Sequence, residues 1–173
     1  MPTRLPIMQY AYVVDDLDTA IGHWVEALGV GPFFVLRNVA VVGSLYRGKP
    51  VHTHHSVAMG QAGDAQIELI QVHSEPPHIY SDHLGVGGTG FHHVAVLADD
   101  FDATVAELSG QGLEIVQQHE YKGTRLCYFD TTRTLRYFLE VLENTEFLAG
   151  LLAKVRDAHP GWDGITDPIR PLI

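Results

Sequence analysis

The sequence is poor in cysteine, in positive charge and in long apolar runs, and each shortage excludes something. A single cysteine, Cys127, among 173 residues allows neither a disulfide within the chain nor a thiolate zinc cluster. A lone thiol fits a reducing, cytoplasmic setting. No stretch reaches the ~18 consecutive apolar residues of a membrane-crossing helix, and the opening MPTRLPIMQY lacks the apolar core of a signal peptide. Lys and Arg number 11 against 21 Asp and Glu, a formal net charge of −10. That balance speaks against nucleic acid, whose binding needs cations for phosphates, and against an anionic membrane surface. No phosphate-cradling loop is present: the glycines between Gly85 and Gly90 lack a strand before them and a helix after. The remaining partner class is a small molecule. The length suits one ordinary domain or two small modules sharing a core.

An internal repeat organises the chain. The segment Gln9-Tyr-Ala-Tyr-Val-Val-Asp-Asp-Leu-Asp-Thr-Ala-Ile21 returns as His93-Val-Ala-Val-Leu-Ala-Asp-Asp-Phe-Asp-Ala-Thr-Val105. Ala11/Ala95, Asp15/Asp99, Asp16/Asp100 and Asp18/Asp102 are identical pairs. Each copy opens with a short apolar run, as a buried strand does, and continues in a helical pattern. Leu17, Ala20, Ile21, Trp24, Val25 and Leu28 recur at helical spacing, as do Phe101, Val105 and Leu108. Asp16 and Asp100 stand where N-caps belong, so the aspartate pairs read as helix caps rather than metal ligands. Gly29 and Gly31-Pro32 end the first helix.

Strands are expected at Phe33–Val42, His54–Met59 and Ala65–Val72, with Gly60 to Gly63 turning the last hairpin. The second copy gives Leu113–Tyr121, Arg125–Asp130 and Leu135–Leu142. Each half is therefore β-α-β-β-β, an α+β arrangement. Residues 1–73 form the first module, 74–90 a linker with a short helix around Ile79–Leu84, 91–143 the second module, and 144–173 a tail. That tail carries Phe147, Leu148, Leu151, Leu152 and Val155 at amphipathic helical spacing. The apolar face of this helix needs cover, from its own chain or from a second copy, and a homodimer is expected.

The tandem βαβββ pattern resembles the vicinal oxygen chelate superfamily, which includes glyoxalase I, methylmalonyl-CoA epimerase, extradiol dioxygenases and bleomycin-resistance proteins. The phrases that carry the resemblance are Gln9-Tyr-Ala-Tyr-Val-Val-Asp-Asp-Leu-Asp, Ile67-Glu-Leu-Ile70, Gly90-Phe-His-His-Val-Ala-Val96 and Phe138-Leu-Glu-Val-Leu142, within roughly residues 7–143. It implies two modules forming a curved mixed sheet around a shared cleft. One metal ligand comes from the first strand of each module and one from the last. Carried over, these are Gln9 and His93, then Glu68 and Glu140. The chemistry agrees: a carboxylate inside an apolar strand is expensive to bury without a partner, and a divalent ion is one such partner. An oxygen-rich set with one imidazole suits Zn, Ni, Co, Mn or Mg.

The resemblance further implies that Glu140 and Glu68 move a proton beside a metal-bound carbonyl, as in an epimerase, isomerase or lyase acting on a 2-oxo compound or an acyl-CoA. Gln9 stands where extradiol dioxygenases place a histidine, against that chemistry. Val13 and Val72 stand where glyoxalase I holds glutathione with an arginine and an asparagine. The alternative is a metal-free binding protein of the bleomycin-resistance type. Among other residues, His55 and Tyr128 are expected to touch substrate, and Tyr137 is a second tyrosine near the site. Strand alternation puts His92 on the face opposite His93, as a packing or supporting residue. Only one of His54 and His55 can enter the cleft. Cys127 reads as a small buried hydrophobe.

Overall fold

The computed structural model describes residues 5–173. The first half runs β1 (Ile7–Val13), α1 (Leu17–Leu28), β2 (Phe33–Tyr46), β3 (Lys49–Ala62) and β4 (Ala65–Val72). After α2 (Ile79–Leu84) the pattern returns as β5 (Gly90–Ala98), α3 (Phe101–Gly110), β6 (Ile115–Tyr121) and β7 (Thr124–Phe129). It then continues through a one-turn α4 (Thr132–Leu135) to β8 (Phe138–Glu143). The tail is α5 (Glu146–Ala158) and a short β9 (Ile169–Pro171). The fold is α+β, built on one mixed sheet in the order β3-β4-β1-β5-β8-β7-β6-β2-β9. Since β2 also pairs with β3, the first eight strands close on themselves. The closure is thin: β6 meets β2 only at Leu45 and Tyr46.

The caps form as the sequence requires. Asp16 accepts from the Thr19 N–H at 2.8 Å and Asp100 from the Ala103 N–H at 3.0 Å, each satisfying an otherwise orphaned donor of the first turn. Gly29 closes α1 in the left-handed conformation that glycine adopts without steric cost. Three expectations need correction. The first hairpin is far longer than the pattern suggested, because Arg47 and Gly48, both with positive φ, make a tight turn that lets β2 and β3 pair from Phe34 to Tyr46. The turn before β4 falls at Gly63, with Gly60 and Gln61 still in the ladder. Leu135 lies in α4 rather than β8, because Asp130 binds the N–H and hydroxyl of Thr132 and bends the chain there.

The two halves meet along β1 and β5, which run antiparallel with Gln9 opposite Ala95, Tyr10 opposite Val94 and Ala11 opposite His93. This register is its own mirror under the repeat, since Gln9 matches His93 and Ala11 matches Ala95. A two-fold pseudo-axis therefore passes beside the Tyr10–Val94 pair. The same symmetry places Glu68 beside Ala11 and Glu140 beside Ala95 on the flanking parallel strands. Three apolar clusters fill the spaces between sheet and helices, and a fourth, of Phe34, Met59, Val155 and Leu172, anchors the tail. On α5, Val155 is buried in that cluster, while Phe147, Leu148, Leu151 and Leu152 stay half-buried. Among the described residues no helix is long and apolar enough to cross a membrane.

Candidate active site

The concave side of the sheet encloses a cavity of about 160 Å³. Glu68, His93 and Glu140 converge at it, their ligand atoms within 4.8 Å of one another. His93 is fully buried and Glu140 nearly so, whereas Glu68 keeps 15% of its side chain exposed. His93 Nε2 lies 3.1 Å from a Glu140 oxygen and 3.4 Å from a Glu68 oxygen, yet it makes no hydrogen bond of acceptable geometry. Donors about 2.1 Å from a shared ion stand roughly 3 Å apart, so this spacing fits a bound cation. Gln9 is buried on β1 and lines the same cavity.

The orientation of His93 is set by its neighbour. The ladder slips between Ala11 and Tyr12, leaving His92 as an extra residue opposite no partner, a β-bulge. The bulge breaks the alternation that would send His92 to the far face. Its ring instead lies against His93, with Nδ1 to Nδ1 at 2.9 Å and Nε2 3.4 Å from the Ile79 carbonyl. A carbonyl only accepts, so His92 Nε2 carries the proton and its Nδ1 accepts from the His93 Nδ1–H. With Nδ1 so committed, His93 presents Nε2 to the two carboxylates: with a proton it faces them as a cation, and without one it offers them a lone pair that a metal ion between the three would take. This is the supporting contact that metal-bound imidazoles generally have.

Charge follows this layout. Burial lowers the affinity of His93 for a proton, but the charges of Glu140 and Glu68 outweigh it and push the imidazole up to about 9. Burial would raise Glu140, yet the adjacent His93 charge and hydrogen bonding from Tyr128 carry its carboxyl below the ordinary range. Glu68 is raised, mainly by burial and further by the charge of Glu140, with His93 opposing. The two glutamates are thus driven in opposite directions, the pattern that separates an acid from a base.

His55 and Tyr128 both line the cavity, Tyr128 directly opposite Glu140 in the β7–β8 ladder. His54, the alternate, is exposed. Burial lowers His55 to about 4 and lowers His119 as well, and each leaves Nδ1 without a partner. Tyr137 does not reach the cavity; its ring packs against Phe91 at 5.2 Å. Cys127 is buried, and desolvation pushes its thiol up to about 12, so it is inert. Sequence reasoning missed His119 and Tyr80. The alternation Gln117, His119, Tyr121 along β6 contained the first signal. The second sits in the linker helix α2, which His78 caps.

A pseudo-symmetric βαβββ pair with a cation-ready cluster astride its seam defines a class of scaffold. The family model of the Glyoxalase/Bleomycin resistance protein/Dioxygenase superfamily matches residues 8–129, and the chain belongs to that superfamily. Among solved structures, hypothetical protein BH1468 from Bacillus halodurans C-125 is similar at 17% identity and TM-score 0.57, over 83% of this chain and 97% of that one. Methylmalonyl-CoA epimerase from Mycobacterium tuberculosis is similar at 21% identity and TM-score 0.55, over 83% and 91%. A selenomethionine methylmalonyl-CoA epimerase gives 17% and 0.52, over 84% and 100%. These likenesses are of fold. No curated protein matches the chain.

Proposed function

We propose that the protein is a metal-dependent enzyme that moves a proton beside a carbonyl group, as an epimerase, isomerase or lyase. The observation that carries this reading is the unsatisfied His93 Nε2 facing Glu68 and Glu140 from the two halves of the sheet. Glu68, His93 and Glu140, with Gln9 as the fourth residue, would hold one divalent ion, of Zn, Ni, Co, Mn or Mg. Such an ion supplies positive charge that polarises a substrate carbonyl and lowers the cost of negative charge on its oxygen. One glutamate takes the proton from the adjacent carbon, and the other returns a proton to that carbon or its neighbour. Glu140, hydrogen-bonded by Tyr128, is the better base; Glu68, the more open of the two, is the better donor. His55 and Tyr128 orient the substrate, an acyl-CoA or 2-oxo compound.

Elemental analysis of the purified protein, followed by solvent deuterium exchange into candidate carbonyl substrates, tests the reading. Glu140→Gln is expected to abolish exchange while metal stays bound; unchanged exchange would remove Glu140 from the role. The second reading, a metal-free binding protein, draws on the largely apolar lining of the cavity, and absence of both metal and metal-stimulated exchange would favour it. The homodimer expected from the sequence belongs to the same proposal, with the half-buried Phe147, Leu148, Leu151 and Leu152 of α5 as the apolar face a second copy would cover; a sizing measurement that returns a monomer removes it.

A further inference from the structure

The cavity is chemically two-ended. At one end stand Glu68, Glu140 and Gln9, with His55 and His119 each leaving a ring nitrogen unpartnered. The remaining wall is mostly apolar: Leu36, Val39 and Val41 from β2, and Phe147, Leu148, Leu151 and Leu152 from α5, are among the side chains that form it, with the uncharged Tyr121 and Thr124 beside α5. No Lys or Arg lines the cavity among the described residues. Two exposed lysines touch lining residues without entering. Lys122 sits over the rings of Tyr121 and Phe147, at 5.8 and 5.5 Å, and Lys154 donates to the carbonyls of Pro171 and Leu172. The helix α5 lies beyond the residues matched by the superfamily model.

We propose that the substrate carries its carbonyl head at the Glu68–His93–Glu140 end and an uncharged apolar chain or ring against α5, and that a second carboxylate or a phosphate at that far end is rejected. A buried anion without a partner is strongly disfavoured, whereas apolar groups gain from burial. The size suits a short chain or one ring, since an apolar cavity of about 150 Å³ admits benzene. This inference rests on the reading of the three residues as the reacting end, and the test separates the two.

The probes are 2-oxooctanoate and 2-oxosuberate, which share one head and one chain length and differ only in a terminal methyl against a terminal carboxylate. Titration calorimetry on the full chain loaded with one metal is expected to show 2-oxooctanoate binding at least about tenfold tighter. Leu148→Lys, at a half-buried position where a lysine stem can lie along the wall, is expected to narrow or invert that ratio. Equal or tighter binding of 2-oxosuberate by the unaltered protein overturns the inference, as does a ratio untouched by Leu148→Lys. A third probe, 2-octanone, has no chelating head and is followed by saturation-transfer NMR with and without metal. If no metal binds but 2-octanone does, the proposed reaction falls and the apolar chamber stands. If metal binds but 2-octanone does not, the chamber falls and the metal reading stands.

Discussion

The two halves of the sheet share a backbone plan and differ in what they do with it. Each first strand carries a bulge immediately before its site residue: Met8 on β1, where the ladder slips between Ile7 and Gln9, and His92 on β5. In the second half the bulged residue is an imidazole that fixes the ring of His93. In the first half it is a thioether, which offers Gln9 no comparable hydrogen bond. The last strands differ in the same direction, with Glu140 more deeply buried than Glu68. The second half is the more enclosed side of the site. The first half, with its 14-residue β2 and β3 against 7 and 6 residues for β6 and β7, supplies the reach and most of the sheet-borne apolar wall. Duplicated backbone thus leaves room for divided labour.

The most severe way to break this comparison is to make the halves alike. His93→Gln places an amide on both first strands and should lower metal affinity by at least about a hundredfold; calorimetric titration of the variant measures it, and retained affinity would refute the ligand set. Next in size is acid sensitivity in the first half. His55 is buried with its folded value depressed to about 4, so below about 6.5 the unfolded chain takes up a proton that the folded chain refuses. Stability should fall as pH drops through that window, by roughly 3 kcal/mol from this residue, and His55→Gln should flatten the slope in denaturant titrations at pH 7 and pH 4.

His92→Phe then asks whether the bulged imidazole matters: metal affinity should drop about ten- to a hundredfold, while Met8→Leu, its counterpart, should leave it unchanged. A drop with Met8→Leu, or none with His92→Phe, would erase the asymmetry. The smallest effect tests where the halves are equal. Asp16→Ala and Asp100→Ala should each lower stability slightly and to a similar extent, read from thermal or denaturant unfolding.

Much of this is legible in the sequence. The repeat, the caps at Asp16 and Asp100 and the α+β class followed from pattern; Glu68, His93 and Glu140 were singled out by the resemblance to the superfamily, since a glutamate in a strand reads on pattern alone as solvent-facing. The reach of the first hairpin did not, because Gly43 and Pro50 suit loops, and only the pairing of β2 with β3 holds them in strands. β9 was invisible for a related reason: three residues ending in proline become a strand only by lying beside Phe33–Val35. Within the site, His92 was put on the wrong face because a bulge leaves no trace in residue order. Tyr80 was missed because a linker helix enters the cavity only through tertiary packing.

The self-mirrored register of β1 and β5 carries a last consequence, about how such a site can be encoded. Two identical half-length chains meeting at that seam would be obliged to present the same residue twice, two amides or two imidazoles. Covalent fusion removes the obligation. One chain can write Gln9 on one side and His93 on the other, so each end of the site is open to separate inheritance and separate change.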